Sequence, residues 1–406
     1  MQNLLIIGAG GVGRVTTLKC VESGAFGKMT LASRREEKCQ EIVASCPEEV
    51  TVNQLDASET AEVRQAIRIA EADIVINVAL PYQNMAIMQA CLQEQAHYVD
   101  TAAPESPERL YTAAEDGDWY GPQWQLHDGF QRAGRLALLG AGSDPGMVNA
   151  FCAYAASHLL DLVTTIDIID INVGDHGYPF ATNFNPEINL REVQAPAHYY
   201  QDGNWRQVPA LSVSTYFDLP EVGRQQLFLM DHDELHSLYR FFPDATHIKF
   251  WMGFGDEYRK HFEVMNNIGM LSPEPVDYYD DSGGVSQIIP LKLLRNLLPD
   301  PASLAESYTG KTCIGVLLTG NKAGEKKSYF LYNICDHETA YDDVGSQAIS
   351  FTAGTCAAAA AATIADGAWH RSGVYNVEAL PPKPFLDRMT ELGMGWNIRQ
   401  DTVALS

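Results

Sequence analysis

Hydrophobic positions arrive in short uninterrupted runs along the first third of the chain. Leu4-Leu5-Ile6-Ile7 comes first, and comparable runs follow at residues 29–32, 50–54, 74–78, 97–100 and 137–139. Such runs, closed off by turn-forming residues, are the pattern of strands buried on both faces. Between them, apolar positions recur with helical spacing at 15–21, 36–45, 58–69 (capped by Ser58) and 82–93. Strand–helix alternation with short links predicts a parallel, doubly wound α/β sheet. Residues 116–125 hold two Gly, Pro122 and two Trp, and read as an irregular loop.

After Pro145 the pattern changes. Strand candidates cluster at 163–173, 248–254, 262–268, 314–320 and 329–334, with helices only at 231–241 and 288–298. Strands without intervening helices predict a second, α+β domain on a mixed or antiparallel sheet. Residues 348–366 form a small-residue helix, all alanine over 357–362. Alanine favours helix and lets another backbone approach closely.

Composition excludes partners. The 406 residues carry 28 Lys+Arg against 52 Asp+Glu, a net charge of −24. Binding nucleic acid or an anionic membrane needs a basic surplus. Eight cysteines lie scattered with no C-x-x-C pair, which predicts buried thiols rather than a zinc site or a disulfide scaffold. No signal-peptide pattern precedes the first strand, and the apolar stretch 356–365 is far shorter than the roughly 20 residues that span a bilayer. These features predict a cytoplasmic protein. The charge is uneven: residues 1–50 hold six bases and six acids, so the whole acidic excess lies beyond them.

The balanced stretch holds the strongest motif. Gly8-Ala9-Gly10-Gly11-Val12-Gly13 is G-x-G-x-x-G between a predicted strand and a predicted helix, the setting of a dinucleotide site. Gly8 allows the tight turn, Gly10 the approach of a pyrophosphate, and Gly13 the packing of helix on sheet; Gly11 and Val12 open the helix. The second strand ends in Ala32-Ser33-Arg34-Arg35, with no acid to take a ribose 2′-hydroxyl. A hydroxyl followed by guanidinium groups suits a 2′-phosphate, so Ser33 and Arg34 predict NADP rather than NAD. Asp56, after the third strand, is placed near the adenosine. Ala79, Leu80 and Pro81, after the fourth, are placed beside the nicotinamide.

Residues 6–15 resemble the saccharopine-reductase group, as do Asn77-Val78-Ala79-Leu80-Pro81-Tyr82 and Gly140-Ala141-Gly142-Ser143-Asp144-Pro145-Gly146. Residues 180–189, 249–255, 333–338 and 345–348 resemble more narrowly the carboxynorspermidine dehydrogenases of that group. The resemblance spans essentially the whole chain. It implies that aspartate β-semialdehyde condenses with 1,3-diaminopropane or putrescine, and that NADPH reduces the resulting imine. It also implies a homodimer, no metal, and a C-terminal segment that returns to the cofactor domain. The expected division is a cofactor domain of residues 1–145 completed by 346–406, and a substrate and dimerisation domain of residues 146–345.

Condensation needs proton transfer, and Tyr82, Asp100, Asp144 and His337 are side chains of suitable type on segments expected to border the cleft. Each also has a bland reading as wall, turn former, strand cap or solvated loop residue. For the substrate carboxylate the candidates are Arg191 and Lys249, and for the amine Asp175 and Asp256. Asn183 and Phe254 are further candidates from the family-like stretches, Phe254 by cation–π contact or simply as core. Two rival readings stay open: a saccharopine-type enzyme taking an amino acid as its amine, and a non-catalytic NADP sensor.

Overall fold

The computed structural model describes residues 1–105, 119–401 and 405. Six strands form at the predicted apolar runs: β1 (Gln2–Ile7), β2 (Phe26–Ser33), β3 (Thr51–Gln54), β4 (Ile74–Asn77), β5 (His97–Asp100) and β6 (Leu136–Leu139). All pair in parallel, and β1, β4 and β6 are buried almost throughout because helices cover both faces. A seventh strand, Gly373–Asn376, comes from far downstream and pairs in parallel with β6 at the sheet edge. The spatial order is this late strand, then β6, β5, β4, β1, β2 and β3.

The second sheet has nine strands and is mixed. At its centre β7 (Leu162–Asp175) runs antiparallel to Thr309–Lys322 and parallel to His247–Gly253. Side chains alternate along β7. Ile166 and Ile168 face the layer shared with the helices Met147–His158 and Ala348–Ala365, while Ile169 and Ile171 face a second, separate core. The alanine-rich helix is long and apolar enough to cross a bilayer, but it is largely buried inside the molecule. Its Gly354 sits so close to the first helix, Gly11–Ser23, that a β-carbon there would meet Val15 at 2.6 Å. The last strand, Asn397–Gln400, pairs in the second sheet, so the tail serves both sheets.

Several local expectations need correction. Residues 262–268 are not a strand: they end the helix Asp256–Asn267, whose first turn carries two acids bonded three residues on to Arg259 and Lys260. Ser58 does not cap its helix, which starts at Thr60; its hydroxyl bonds Asp56 instead. The loop predicted at 116–125 contains a short helix, Gly121–Trp124, and its residues 116–118 lie outside the described residues. The helices Met147–His158, Pro186–Gln194 and His337–Val344 carry only weak apolar periodicity, whereas Pro382–Glu391, absent from the expected helices, has a clear buried face of Phe385, Leu386 and Met389.

Candidate active site

The glycine loop is built to take a diphosphate. A β-carbon on Gly13 would lie 2.0 Å from the Gly8 carbonyl oxygen, so only glycine lets the helix start there. Gly10 has open space where a side chain would sit, and no side chain caps the helix it begins. The amide groups of that first turn are therefore left for an anion. At the end of β2, Arg34 is exposed and forms no ion pair among the described residues; its charge helps lower the pKa of Asp56, which Ser58 lowers more. Arg35 faces Asp300, whose carboxylate is held by Lys38 at 2.9 Å. No acid stands at the β2 end, and these residues fit NADP.

The carboxyl ends of β4, β5 and β6 open toward the second sheet, where a cofactor-bearing parallel sheet places its chemistry. Leu139 leads into the Gly140–Gly146 turn, in which a β-carbon on Gly146 (φ +133°) would overlap the Gly142 backbone. That turn presents Asp144, with Ser143 Oγ donating to its Oδ1 at 2.8 Å. Asp170, on the same face of β7 as Ile166 and Ile168, meets it. Burial, together with the facing carboxylate, raises Asp144 well above the usual range, and burial raises Asp170 too. His232 lies over the same pair, stacked on Phe250 at 4.2 Å, with Nδ1 2.5 Å from Glu234. Burial opposes charge on His232, but Glu234, Asp144 and Asp233 outweigh it and raise its pKa well above the usual histidine value. Glu192, from the helix Pro186–Gln194, adds a carboxyl that burial pushes up to about 8. Three carboxylate oxygens here have no hydrogen-bond partner among the described residues: Asp170 Oδ1, Glu192 Oε2 and Glu234 Oε1. Beside Glu192 stands a wall of rings, Phe180, Tyr258 and Phe254, stacked at 5.0 and 5.3 Å.

Arg191 bridges the two sheets at the edge of this cleft. It donates to Tyr82 Oη at 2.5 Å and to Glu105 at 2.9 Å, and its Nε has no partner among the described residues. Burial, then Glu105, pushes the Tyr82 hydroxyl up to about 12, so it stays protonated. Ala79, Leu80 and Pro81 precede it on the loop leaving β4, partly exposed. The structure thus gathers Tyr82, Asp144, Arg191 and Phe254 around one cleft.

Other candidates fall elsewhere. Asp100 is buried and fully engaged within its own domain: it accepts from Gly140 N at 2.7 Å and from Gln123 Nε2 at 2.6 Å. Burial raises it to about 7, but it ties β5 to the Gly140 turn and does not face the cleft. His337 is fully buried. Its Nδ1 accepts from Ala348 N at 3.1 Å, which puts the ring proton on Nε2, 2.8 Å from Asn172 Oδ1. Burial holds its pKa at about 4, so it is a neutral brace rather than a proton donor. Asn183 belongs to the same network, its Oδ1 accepting from Tyr308 Oη at 2.7 Å. Lys249 points to the other face of the sheet from Asp170, near the Tyr199 and Trp251 rings, because strand neighbours alternate. Asp175 lies at the exposed end of β7, and Asp256 is a solvated helix-start residue paired with Arg259. Sequence reasoning missed Asp170, Glu192, His232, Asp233 and Glu234. An aspartate on the apolar face of an alternating strand, and the Asp231-His232-Asp233-Glu234 run at a strand–helix junction, were the available signals.

Fold and cleft define a two-domain oxidoreductase that uses a nicotinamide dinucleotide. The chain belongs to the saccharopine dehydrogenase family: residues 4–138 match the saccharopine dehydrogenase NADP binding domain and residues 142–394 its C-terminal domain. It is 42% identical to a carboxynorspermidine synthase of Vibrio cholerae, over 98% of this chain and 97% of that one. It is 41% identical to a carboxyaminopropylagmatine dehydrogenase of Synechocystis, with the same coverage. Among solved structures, its fold matches saccharopine dehydrogenase (L-Glu forming) of Saccharomyces cerevisiae with a TM-score of 0.72 over all of both chains, at 14% identity. Homospermidine synthase of Legionella pneumophila matches with a TM-score of 0.69 over 99% of this chain and 91% of that one, at 16% identity.

Proposed function

We propose that this protein joins aspartate β-semialdehyde to a short diamine, 1,3-diaminopropane or putrescine, and reduces the imine to a carboxy-polyamine. The observation that carries the reading is the cleft itself. It assembles Asp144, Asp170, Glu192, Asp233 and Glu234 around one imidazole, with three carboxylate oxygens left unpartnered. Unpaired buried acids are costly, and a bound ammonium offsets that cost. The named relatives, two of them polyamine-forming by name, point the same way.

In this reading Glu192 and the Phe180–Tyr258–Phe254 wall hold the distal ammonium and its methylenes. Arg191 holds the aldehyde's carboxylate through its free Nε–H. The proton shared by Asp144 and Asp170 goes to the carbinolamine hydroxyl as water leaves, and the emptied pair then stabilises the iminium. NADPH, when bound, supplies the hydride that reduces the C=N bond. The neutral Tyr82 hydroxyl, fixed by Arg191, keeps the nicotinamide side of the cleft in register.

The division into a cofactor domain (residues 1–145 with 346–406) and a substrate domain (146–345) belongs to this proposal. The break between the family matches at the Gly140–Gly146 turn supports the first boundary, and the pairing of Gly373–Asn376 with β6 supports the return of the tail; the C-terminal-domain match itself runs on through residue 394, and strand Asn397–Gln400 serves the second sheet. A cytoplasmic homodimer belongs to it as well. Exposed apolar residues concentrated between Val264 and Leu297 support an interface there, among them Ile268, Tyr279 and Val285.

The test is NADPH consumption with aspartate semialdehyde and a panel of diaminopropane, putrescine, agmatine and glutamate. Turnover with a diamine and none with glutamate is expected. Turnover with glutamate alone would transfer the reading to a saccharopine-type enzyme, and NADPH binding without turnover would favour a sensor. Best turnover with agmatine would keep the reaction and replace the diamine.

A further inference from the structure

The Gly345-Ser346-Gln347-Ala348 stretch, far from the glycine loop in sequence, is fastened onto the helix that follows that loop. Arg14 Nε donates to the Val344 carbonyl at 2.8 Å, and Lys19 Nζ pairs with Asp343 at 2.7 Å. This brings two hydroxyls to the start of that helix. A β-carbon on Gly11 would lie 2.6 Å from Ser350 Oγ and 3.7 Å from Ser346 Oγ. Both serines are more than nine-tenths buried, at 6% and 2% exposure. Neither hydroxyl has a hydrogen-bond partner among the described residues. Ser350 differs in this from Thr16, Thr17 and Thr363, whose hydroxyls bond back to the preceding helical turn.

Two unpartnered hydroxyls on otherwise buried serines, beside the uncapped amides of a thirteen-residue helix, point to a ligand that accepts from all of them at once. We infer that Ser346 and Ser350 are ligands of the cofactor's diphosphate, so that the C-terminal segment completes the cofactor site. The oxygens of the diphosphate accept from the two hydroxyls as well as from the first-turn amides. The geometry also joins the two halves of the enzyme. Gln347, between the serines, donates through Nε2 to the Asn183 carbonyl at 2.6 Å, so the loop that meets the diphosphate also holds a stretch of the substrate domain.

Calorimetric titration of the full-length protein with NADPH, NADH and ADP-ribose tests this directly. All three carry the diphosphate, and only NADPH carries the 2′-phosphate. Ser346→Ala and Ser350→Ala are each expected to weaken all three ligands by about tenfold, and together by about a hundredfold, as loss of charge-assisted hydrogen bonds does. The ligand-free melting temperature is expected to stay unchanged, since alanine removes only the oxygen. Unaltered affinities in the double variant would overturn the inference. So would a loss confined to NADPH, which would move the hydroxyls to the 2′-phosphate. A wild-type protein that binds none of the three would overturn the cofactor assignment itself.

Discussion

Two polar clusters border the second sheet, and they differ in one respect. Around His337 the ring, Asn172 and Tyr308 all find partners. The ring uses both nitrogens, Asn172 Nδ2 donates to Tyr308 Oη at 2.5 Å, and Tyr308 donates onward to Asn183. Around Asp144 the carboxyl groups outnumber the one imidazole among them, His232, and three carboxylate oxygens have no partner among the described residues. A satisfied buried network rigidifies a fold, whereas an unsatisfied one is tolerated where a ligand completes it. The contrast makes the first cluster scaffold and, on the proposed function, the second the site, although both contain residue types suited to catalysis.

Substitutions that cross this line have opposite readouts. Asp144→Asn is expected to lower kcat by about 10²–10³-fold while leaving the melting temperature nearly unchanged, since the loss is of a proton donor. Steady-state kinetics beside a melting curve checks both halves. At the scaffold, His337→Ala should cost about 2–3 kcal/mol in denaturant unfolding, because it strands Ala348 N and Asn172 Oδ1 in the interior. The kcat/KM of the folded fraction should hold. This site also carries a pH signature. The folded pKa of about 4 lies below the usual histidine value, so the unfolded chain binds more protons between about 4 and 6.5. The stability contribution is full above about 6.5 and is lost as pH falls toward 4, and urea titrations at stepped pH should show that slope shrink in the variant.

Smaller effects sharpen the picture within the cleft. Glu192→Gln should raise the KM for the amine by about tenfold with a lesser change in kcat, since it removes a charge that holds the substrate rather than one that reacts. A larger fall in kcat than in affinity would move Glu192 into the proton-transfer group. Arg34 offers the same contrast in miniature, because it forms no ion pair among the described residues while its neighbour Arg35 faces Asp300. Arg34→Ala should weaken NADPH by about tenfold and NADH little, and equal losses would place the 2′-phosphate elsewhere.

The cofactor half was legible because its signals are local: apolar runs with period-free burial, and glycines whose roles follow from backbone contact. The substrate half was not, because its site is assembled across distance. Asp170 and Lys249 look alike as charges on strands, and only the register of His247–Gly253 on β7 puts them on opposite faces. Asp100 and His337 have suitable chemistry, yet their partners, Gly140, Gln123, Asn172 and Ala348, could not be read from spacing. Asp144 lies on a local, family-like turn and was within reach. Phe262 and its neighbours were misread because a short apolar run carries no period, while the Asp256–Arg259 and Glu257–Lys260 pairs that mark a helix lie upstream of it.

On the proposed function, the buried acids of the cleft outnumber His232, the one imidazole among them, and take the ammonium of the substrate as a further cation. Diamine binding to the protein with its oxidised cofactor, followed by calorimetry in buffers of different ionisation enthalpy at pH 7, tests it most directly. With Glu192 pushed up to about 8 by burial, binding of an ammonium beside it is predicted to release a proton at pH 7 and to weaken with added salt. The release should diminish in Glu192→Gln. A diamine that does not bind, or that binds with no proton release and no dependence on salt, would contradict the account.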